Sequence, residues 1–423
     1  MGFQQGLSGL NAASVQLDTI GNNVANASTV GFKSSRTEFG DLYGQTLYGI
    51  TATTPGIGVQ VQGITQNMTN GNIETTGRSL DLAINNSGFF IVQTPNGTQA
   101  YTRNGEFQVN NQGYIVGTSG NYLQGWTANA AGGISYGPVG KLQLTNTSIS
   151  PVPTSKLSLA VQLNSNSTTP TGTGIPPYNN PAVSTSYNWS NNQTVYDSLG
   201  NSHQMVFYYT LTSQAATGNT WTVNAYVDGN QVTSTGTYPL TLGYNTNGLL
   251  STVNGAAPGA VPLSFTIAPP NGSSASTSQT VNVNFANSTQ IAQQSATLSA
   301  TQDGIAPGTL QSINISSNGT IQASFSNSQT KTIGQVALAN FVNPQGLQAM
   351  GGNLWSETNN SGTPTTNVPG TGNTGTLSAG QVEDSNVNLT NELVNMITTQ
   401  RYYQANAQTV KTQDTLIQTL LNI

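Results

Sequence analysis

The chain has 423 residues with nine Lys and Arg, 14 Asp and Glu, and a formal charge of −5. Charged residues make up only 5% of it, against roughly 25% in ordinary globular proteins, and scattered cations in an acidic chain exclude a nucleic-acid binder, which needs them clustered. Cysteine is absent, excluding a disulfide framework, a thiolate metal site and a Cys nucleophile, and no run of about 18 apolar residues offers a membrane span.

The N-terminal stretch MGFQQGLSGLNAAS has no basic region followed by a compact apolar one, so it does not read as a Sec signal. Gly6 also breaks the myristoylation pattern. An exported chain is expected to use another route. Over residues 1–26, Phe3, Leu7, Leu10, Ser14, Leu17, Gly21 and Val24 recur at alternating steps of four and three, with Ala13 and Ile20 widening the stripe. That spacing predicts a helix with one coiled-coil-like seam. The segment GNNVANASTVGFKSSR then stops it: Asn22, Asn23 and Asn26 compete for backbone hydrogen bonds and tolerate left-handed dihedrals. Gly31 is the expected hinge, and Phe32, beside Lys33, the expected anchor for the chain beyond it.

From about Leu80 to Leu144 apolar and polar residues alternate, and Asn96-Gly97 and Asn104-Gly105 are expected to form tight type I′ turns. Between Leu157 and Gln302 the charged residues are Asp197 and Asp228, and VYDSLGNSHQMVFYYTLT (195–212) predicts a strand pair in a second β domain. A third β portion spans ISSNGTIQASF and IGQVALANFVNPQGLQAMGGNLWSET. Residues 359–380, rich in Gly, Thr and Pro, read as a linker. The final helix is expected to start at Asn388 as N-cap, with Glu392 in its first turn where the helix dipole favours an anion. Its stripe is Leu389, Leu393, Met396, Gln400, Tyr403, Ala407, Val410, Asp414, Ile417 and Leu421, with Ile397 beside it. Two readings fit the matched stripes: an intramolecular clasp, or packing between many copies of the chain.

Two long motifs carry a resemblance. LDTIGNNVANASTVGFKSSRTEFGDL (17–42) and NVNLTNELVNMITTQRYYQANAQTVKTQDTLIQTLLNI (386–423) resemble the N- and C-terminal motifs of the bacterial flagellar axial proteins, the rod and hook family. TTGRSLDLAINNSGFFIV (75–92) is similar to the domain that comes next in rod and hook proteins, and VYDSLGNSHQMVFYY to the outer β domain of the hook branch. The resemblance implies an α+β multidomain chain, its long terminal helices forming an inner coiled-coil layer around a channel, with two nested mainly-β domains. The implied partition is 1–70 with 370–423 for the inner assembly domain and spacer, 71–147 with 298–369 for the first β domain, and 148–297 for the outer one. Self-assembly would rest on Phe3, Leu7, Leu10, Leu17, Ile20, Val24, Leu389, Leu393, Met396, Ile397, Tyr403, Val410, Ile417 and Leu421. The helix exit would be formed by Asn22, Asn23, Asn26, Gly31, Phe32 and Lys33.

By the same resemblance the chain would be a structural subunit, not an enzyme, that polymerises outside the cell into a curved, hollow, flexible joint carrying torque from rod to filament. Its partners would be further copies of itself, the distal rod, a hook cap, the hook–filament junction proteins and the flagellar export apparatus, without cofactors, nucleic acid or membrane insertion. The alternatives are a distal rod protein, expected to be shorter and to lack the outer insertion, or a secreted β-rich adhesin. A carbohydrate-active enzyme needs convergent carboxylates, which the β regions nearly lack. His203 has no Cys or acidic cluster at ligand spacing and reads as structural. GTGNTG (370–375) matches a dinucleotide-binding glycine pattern without the strand and helix that pattern needs. Glu383-Asp384 and the pair Glu38 and Asp41 read as helix-start and solvating charges, and QRYYQ (400–404) as packing.

Overall fold

The computed structural model describes residues 2–42, 56–129, 132–144, 148–170, 183–234, 238–266 and 278–421. Most of the regular structure is β, bracketed by two helices, α1 (Gly2–Ala25) and α2 (Leu389–Leu421). The chain divides into two compact units. One comprises Met1–Asn146, Gln311–Ser324 and Thr330–Ile423; the other comprises Thr147–Leu310 and Phe325–Gln329.

In the first unit, β1 (Ser35–Leu42) and β2 (Gly58–Gln66) form an antiparallel ribbon after α1. A larger sheet runs in the order Thr330–Val336, Tyr122–Thr127, Phe89–Gln93, Gln99–Thr102, Leu354–Ser356 and Gln348–Gly351. Its strands bury Phe90, Val92, Ala100, Leu123 and Val336 on one side and Phe89, Ile91, Tyr101, Trp126 and Trp355 on the other, as two-residue alternation requires. The Gly/Thr-rich stretch 359–380 is not a linker. Thr365–Asn367 pairs with Leu338–Asn340, Thr376–Ala379 pairs with Leu82–Asn85, and Ser361 and Leu377 are buried. Low hydrophobicity conceals these strands because backbone partners on other strands, not their own side chains, supply the hydrogen bonds that hold them.

The turn predictions divide. Asn96-Gly97 is a turn, but only Gly97 takes a positive φ, so type I′ is not formed. Asn104-Gly105 is not a hairpin turn: the Gly105 carbonyl accepts from Leu82 N–H, and a Cβ on Gly105 would collide with the Leu82 carbonyl. The glycine is needed for that close backbone approach. Asp228-Gly229, with φ of 49° and 82°, has the dihedral signs of type I′.

The second unit is a pair of sheets around one core that includes Leu159, Val161, Phe207, Trp221, Leu242, Val281 and Phe285. Trp189–Tyr196 and Ser202–Ala215 form the hairpin expected over 195–212. His203 is buried, its Nδ1 2.6 Å from Asp228 Oδ2 and its Nε2 3.5 Å from Asp197 Oδ2, so it ties two turns together. Asp197 is buried, which by itself raises a carboxyl, but the Asn201 side chain and the Asn201 and Leu199 N–H groups outweigh burial and hold it below the usual range. Burial acts the same way on Asp303, and Ser155 with the Lys156 N–H likewise outweighs it. A carboxyl depressed in the fold stabilises it above the unfolded pKa and loses that contribution as pH falls through the folded value. Stability of this unit is therefore expected to drop as pH falls below ~4, and Asp197→Asn to flatten the pH dependence. Urea melts between pH 2 and 6, followed by tryptophan fluorescence, check this; an unchanged slope in the variant would contradict it.

Candidate functional site

Helix α1 begins with glycine every three or four residues, and those glycines decide how it meets α2. A Cβ built on Gly2 would lie 2.9 Å from Gln413 Nε2, one on Gly6 2.9 Å from Val410 Cγ2, and one on Gly9 2.7 Å from Asn406 Nδ2. At the other end of α1, Asn23 Nδ2 reaches Glu392 Oε1 at 3.2 Å. The helices are therefore antiparallel along the whole of α1, at a separation glycine alone allows near Gly6. The seam is mostly small on the α1 side, where Gly2, Gly6, Gly9, Ala13 and Ile20 lie along one line, and mostly polar on the α2 side, where Glu392, Thr399, Asn406, Val410 and Gln413 do.

The large apolar stripes do not form that seam. At about 100° per residue, Phe3, Leu7, Leu10, Leu17 and Val24 centre roughly a quarter turn from the seam line of α1. Leu389, Leu393, Met396 and Tyr403 are offset from the α2 seam in the same rotational sense, with Ile397 further round. Because the helices run in opposite directions, equal rotation places both stripes on one common side of the pair. Exposure agrees: Phe3 is 43%, Leu7 45%, Leu393 44% and Ile397 52% accessible. The opposite side of α1 is already occupied, since Ser8 accepts from Val59 N–H at 3.3 Å and Thr19 meets Thr37 at 3.0 Å. Of the fourteen assembly residues expected from sequence, Ile20 and Val410 turn into the seam. Leu10, Leu17, Val24 and Met396 are half-buried, and Phe3, Leu7, Leu389, Leu393, Ile397, Tyr403 and Ile417 are exposed. The Leu421 side chain lies outside the described residues. Gln400 and Asp414, the polar members of the stripe, are also exposed.

The helix exit is a junction in which the two chain ends meet the first β sheet. Asn26 caps the last turn through Asn22, donating from Nδ2 to its carbonyl at 2.9 Å. None of Asn22, Asn23 or Asn26 adopts a left-handed dihedral; Gly31 does, with φ 70°. Asn23 is buried and acts as a substitute strand residue, accepting from Ser35 N–H and donating to the Ser35 carbonyl, each at 2.8 Å. Phe32 is half-buried, and its carbonyl accepts from Asn386 N–H at 3.4 Å.

Lys33, expected at this exit, is buried there in an ion pair. Only 1% accessible, it donates to Glu383 Oε1 at 2.7 Å and to the Thr69 carbonyl at 2.7 Å. Arg103 donates to the other oxygen, Glu383 Oε2, at 2.9 Å, and Gly71 N–H donates to Glu383 Oε1 at 2.9 Å. Glu383 is thus no helix-start charge. It is wholly buried between two cations, because the strand Gln381–Glu383 pairs with Ile73–Thr75 and carries its carboxylate inward. Burial lowers the pKa of both Lys33 and Arg103 from their ordinary values, against the opposing pull of Glu383. Asn386 adds a polar clasp, accepting from Ser34 N–H at 2.7 Å and donating to the Asn67 carbonyl at 2.8 Å.

An open, mostly polar cleft of about 640 Å³ lies beside the junction, lined by Ile20, Arg36, Glu38, Phe39, Gln66 and Glu392 among others. Among the described residues no cluster of His, Cys, Asp or Glu is placed to hold a metal, and no helix is long and apolar enough to cross a membrane.

Family models match along the chain: "Flagella basal body rod protein" over residues 3–33, "Flagellar hook protein FlgE/F/G D1 domain" over 83–168, "Flagellar basal body protein FlaE D2 domain" over 162–305, and "Flagellar basal body rod FlgEFG protein C-terminal" over 378–423. The chain is 40% identical to the flagellar hook protein FlgE of Escherichia coli (strain K12), with 100% of both chains covered. It is 38% identical to that of Salmonella typhimurium, again with 100% of both covered. With that of Treponema pallidum it shares 31% identity over 99% of this chain and 98% of the relative. Among solved structures, the Helicobacter pylori flagellar hook protein FlgE2 is similar at 15% identity and a TM-score of 0.49, covering 72% of this chain and 98% of that one.

Removing the anion between two buried cations leaves both uncompensated. Glu383→Gln is expected to destabilise the first unit by about 3–5 kcal/mol, and Lys33→Met by less, because the Arg103 pair survives. Urea titration monitored at Trp355, whose Nε1 bonds Gln66 at this junction, measures both; a Glu383→Gln loss under about 1 kcal/mol would contradict the assignment.

Proposed function

The chain belongs to the flagellar hook protein family, and on that premise we propose that it is a structural subunit which polymerises with copies of itself through the apolar side of its terminal helix pair. The single observation that carries this reading is the placement of both stripes outside the intramolecular seam and on one shared side. An intramolecular clasp would have turned those side chains against each other. Here glycines and polar residues, with Ile20 and Val410 among them, make the internal contact, and the other large apolar groups of the stripes lie away from it.

The magnitudes favour self-association. Each large apolar side chain contributes roughly 1.5–3 kcal/mol when fully buried, so a face carrying Phe3, Leu7, Leu10, Leu17, Leu389, Leu393 and Met396 can supply on the order of ten kcal/mol. That is enough to offset the several kcal/mol lost on association. A long face on a helix pair, repeated by rotation plus translation, makes an open tube instead of a closed ring. The inner coiled-coil layer, the partition into nested domains, the extracellular position in the flagellar hook, and contacts with rod, cap, junction and export proteins follow from the family and belong to this proposal. So does the non-enzymatic role, which accords with polar groups used for turns and clasps. A distal rod protein is the second reading; the FlgE relatives aligned over the full chain favour the hook.

Leu7→Asp and Leu393→Asp test the proposal, since both sites are exposed and neither should unfold the monomer. Each is expected to leave the circular dichroism spectrum unchanged and to abolish sedimentable tubes in electron micrographs. Wild-type yields of polymer from both variants would refute it.

A further inference from the structure

We infer that copies of this chain meet edge to edge, α1 of one against α2 of the next, with Asp18 of one copy seated on one of two cations, Arg401 or Lys411, carried by its neighbour's α2. This rests on the self-assembly reading and adds to the apolar contact an edge contact of defined polarity. Asp18 is the only charged side chain on α1, and it is exposed to solvent along one edge. Four charges lie on α2, of which Glu392 bonds Asn23 and Asp414 accepts from Gln418 within the chain. Arg401 and Lys411 are exposed, and among the described residues neither their side chains nor that of Asp18 have an ion-pair or hydrogen-bond partner.

Position makes the charges useful only between chains. At about 100° per residue, Asp18 and Arg401 each lie roughly half a turn from the seam, so they occupy opposite outer edges of the helix pair. Lys411 lies about a third of a turn from the seam, on the side of the apolar face. No movement short of separating the helices brings Asp18 to either cation in the same molecule. An isologous contact would set Asp18 against Asp18, or cations against cations, and like charges so placed oppose association. A head-to-tail contact pairs opposite charges every time and, where its rotation does not close a ring, continues as an open polymer.

The helix register also makes the contact measurable. The seam contacts place Asp18 level with Ile397, so a bond to Arg401 needs a stagger between neighbours of about 6 Å and one to Lys411 about 21 Å, at ~1.5 Å per residue.

The test uses the full-length chain and its charge variants. Asp18→Lys is expected to raise the critical concentration for polymerisation at least tenfold. Combining it with Arg401→Glu or with Lys411→Glu is expected to restore assembly, and the cation whose reversal rescues identifies the stagger. An equimolar mixture of Asp18→Lys chains with chains carrying that same cation reversal should copolymerise where each alone does not. Wild-type polymerisation of Asp18→Lys, or failure of both swaps and of the mixture, overturns the inference and leaves self-assembly standing. A wild-type chain that stays monomeric in the same assay overturns both.

Discussion

The close approach of α1 and α2 sets the terms for the rest of the molecule. Where a Cβ on Gly6 would stand 2.9 Å from a Val410 methyl, the α1 backbone lies directly against α2 side chains, and large side chains have no room on that line of α1. The β1–β2 ribbon takes one remaining side of α1 through Ser8 and Thr19. What is left is one side on which both stripes lie together. A seam of glycine and amides contributes little by burial, so the chain keeps its strongest apolar surface in reserve. In the proposed polymer, cohesion between molecules would then exceed cohesion within the helix pair.

That arrangement would be useless if the helix pair could drift from the β sheet beneath it. The junction of Lys33, Glu383 and Arg103 prevents this by drawing one residue from the helix exit, one from the returning strand and one from the first sheet. A buried ion pair adds little net stability over apolar packing, but it is unforgiving of partial assembly, since any single missing member leaves a buried charge. Asn23, Asn353 and Asn386 bond backbone groups around the same point, Asn353 reaching the Val30 carbonyl at 2.9 Å. The junction therefore forms only when residues 33, 103 and 383 have come together, which ties order at one end of the chain to strands supplied near the other.

Much of this is legible in the sequence, and the unreadable parts share a cause. The span of α2 and its cap are visible: Asn388 accepts from Asn391 N–H at 3.1 Å, and the helix runs 33 residues. The stripes are visible by period, but not the face each helix turns to the other, because Gly2, Gly6 and Gly9 carry no hydrophobic signal. The role of Glu383 is hidden because its partner Lys33 is 350 residues away and charge pairing leaves no mark in local pattern. His203 reads as structural, while the acids that flank it in space, Asp197 and Asp228, are separated from it by turns and give no local cue. Asn104-Gly105 has the composition of a turn, and only the Leu82 backbone shows why the glycine is there. Long-range contact, not local propensity, decides each of these.

The central claim is that the shared apolar side of the helix pair is free in the single chain and covered in the polymer. The chain has no cysteine, so Leu389→Cys and Leu393→Cys each introduce one thiol on that face, and maleimide labelling rates report its accessibility. The account predicts rapid labelling of both in the monomer and a hundredfold or greater slowing in the assembled tube. Equal rates in the two states would show that the face stays open to solvent and would contradict it.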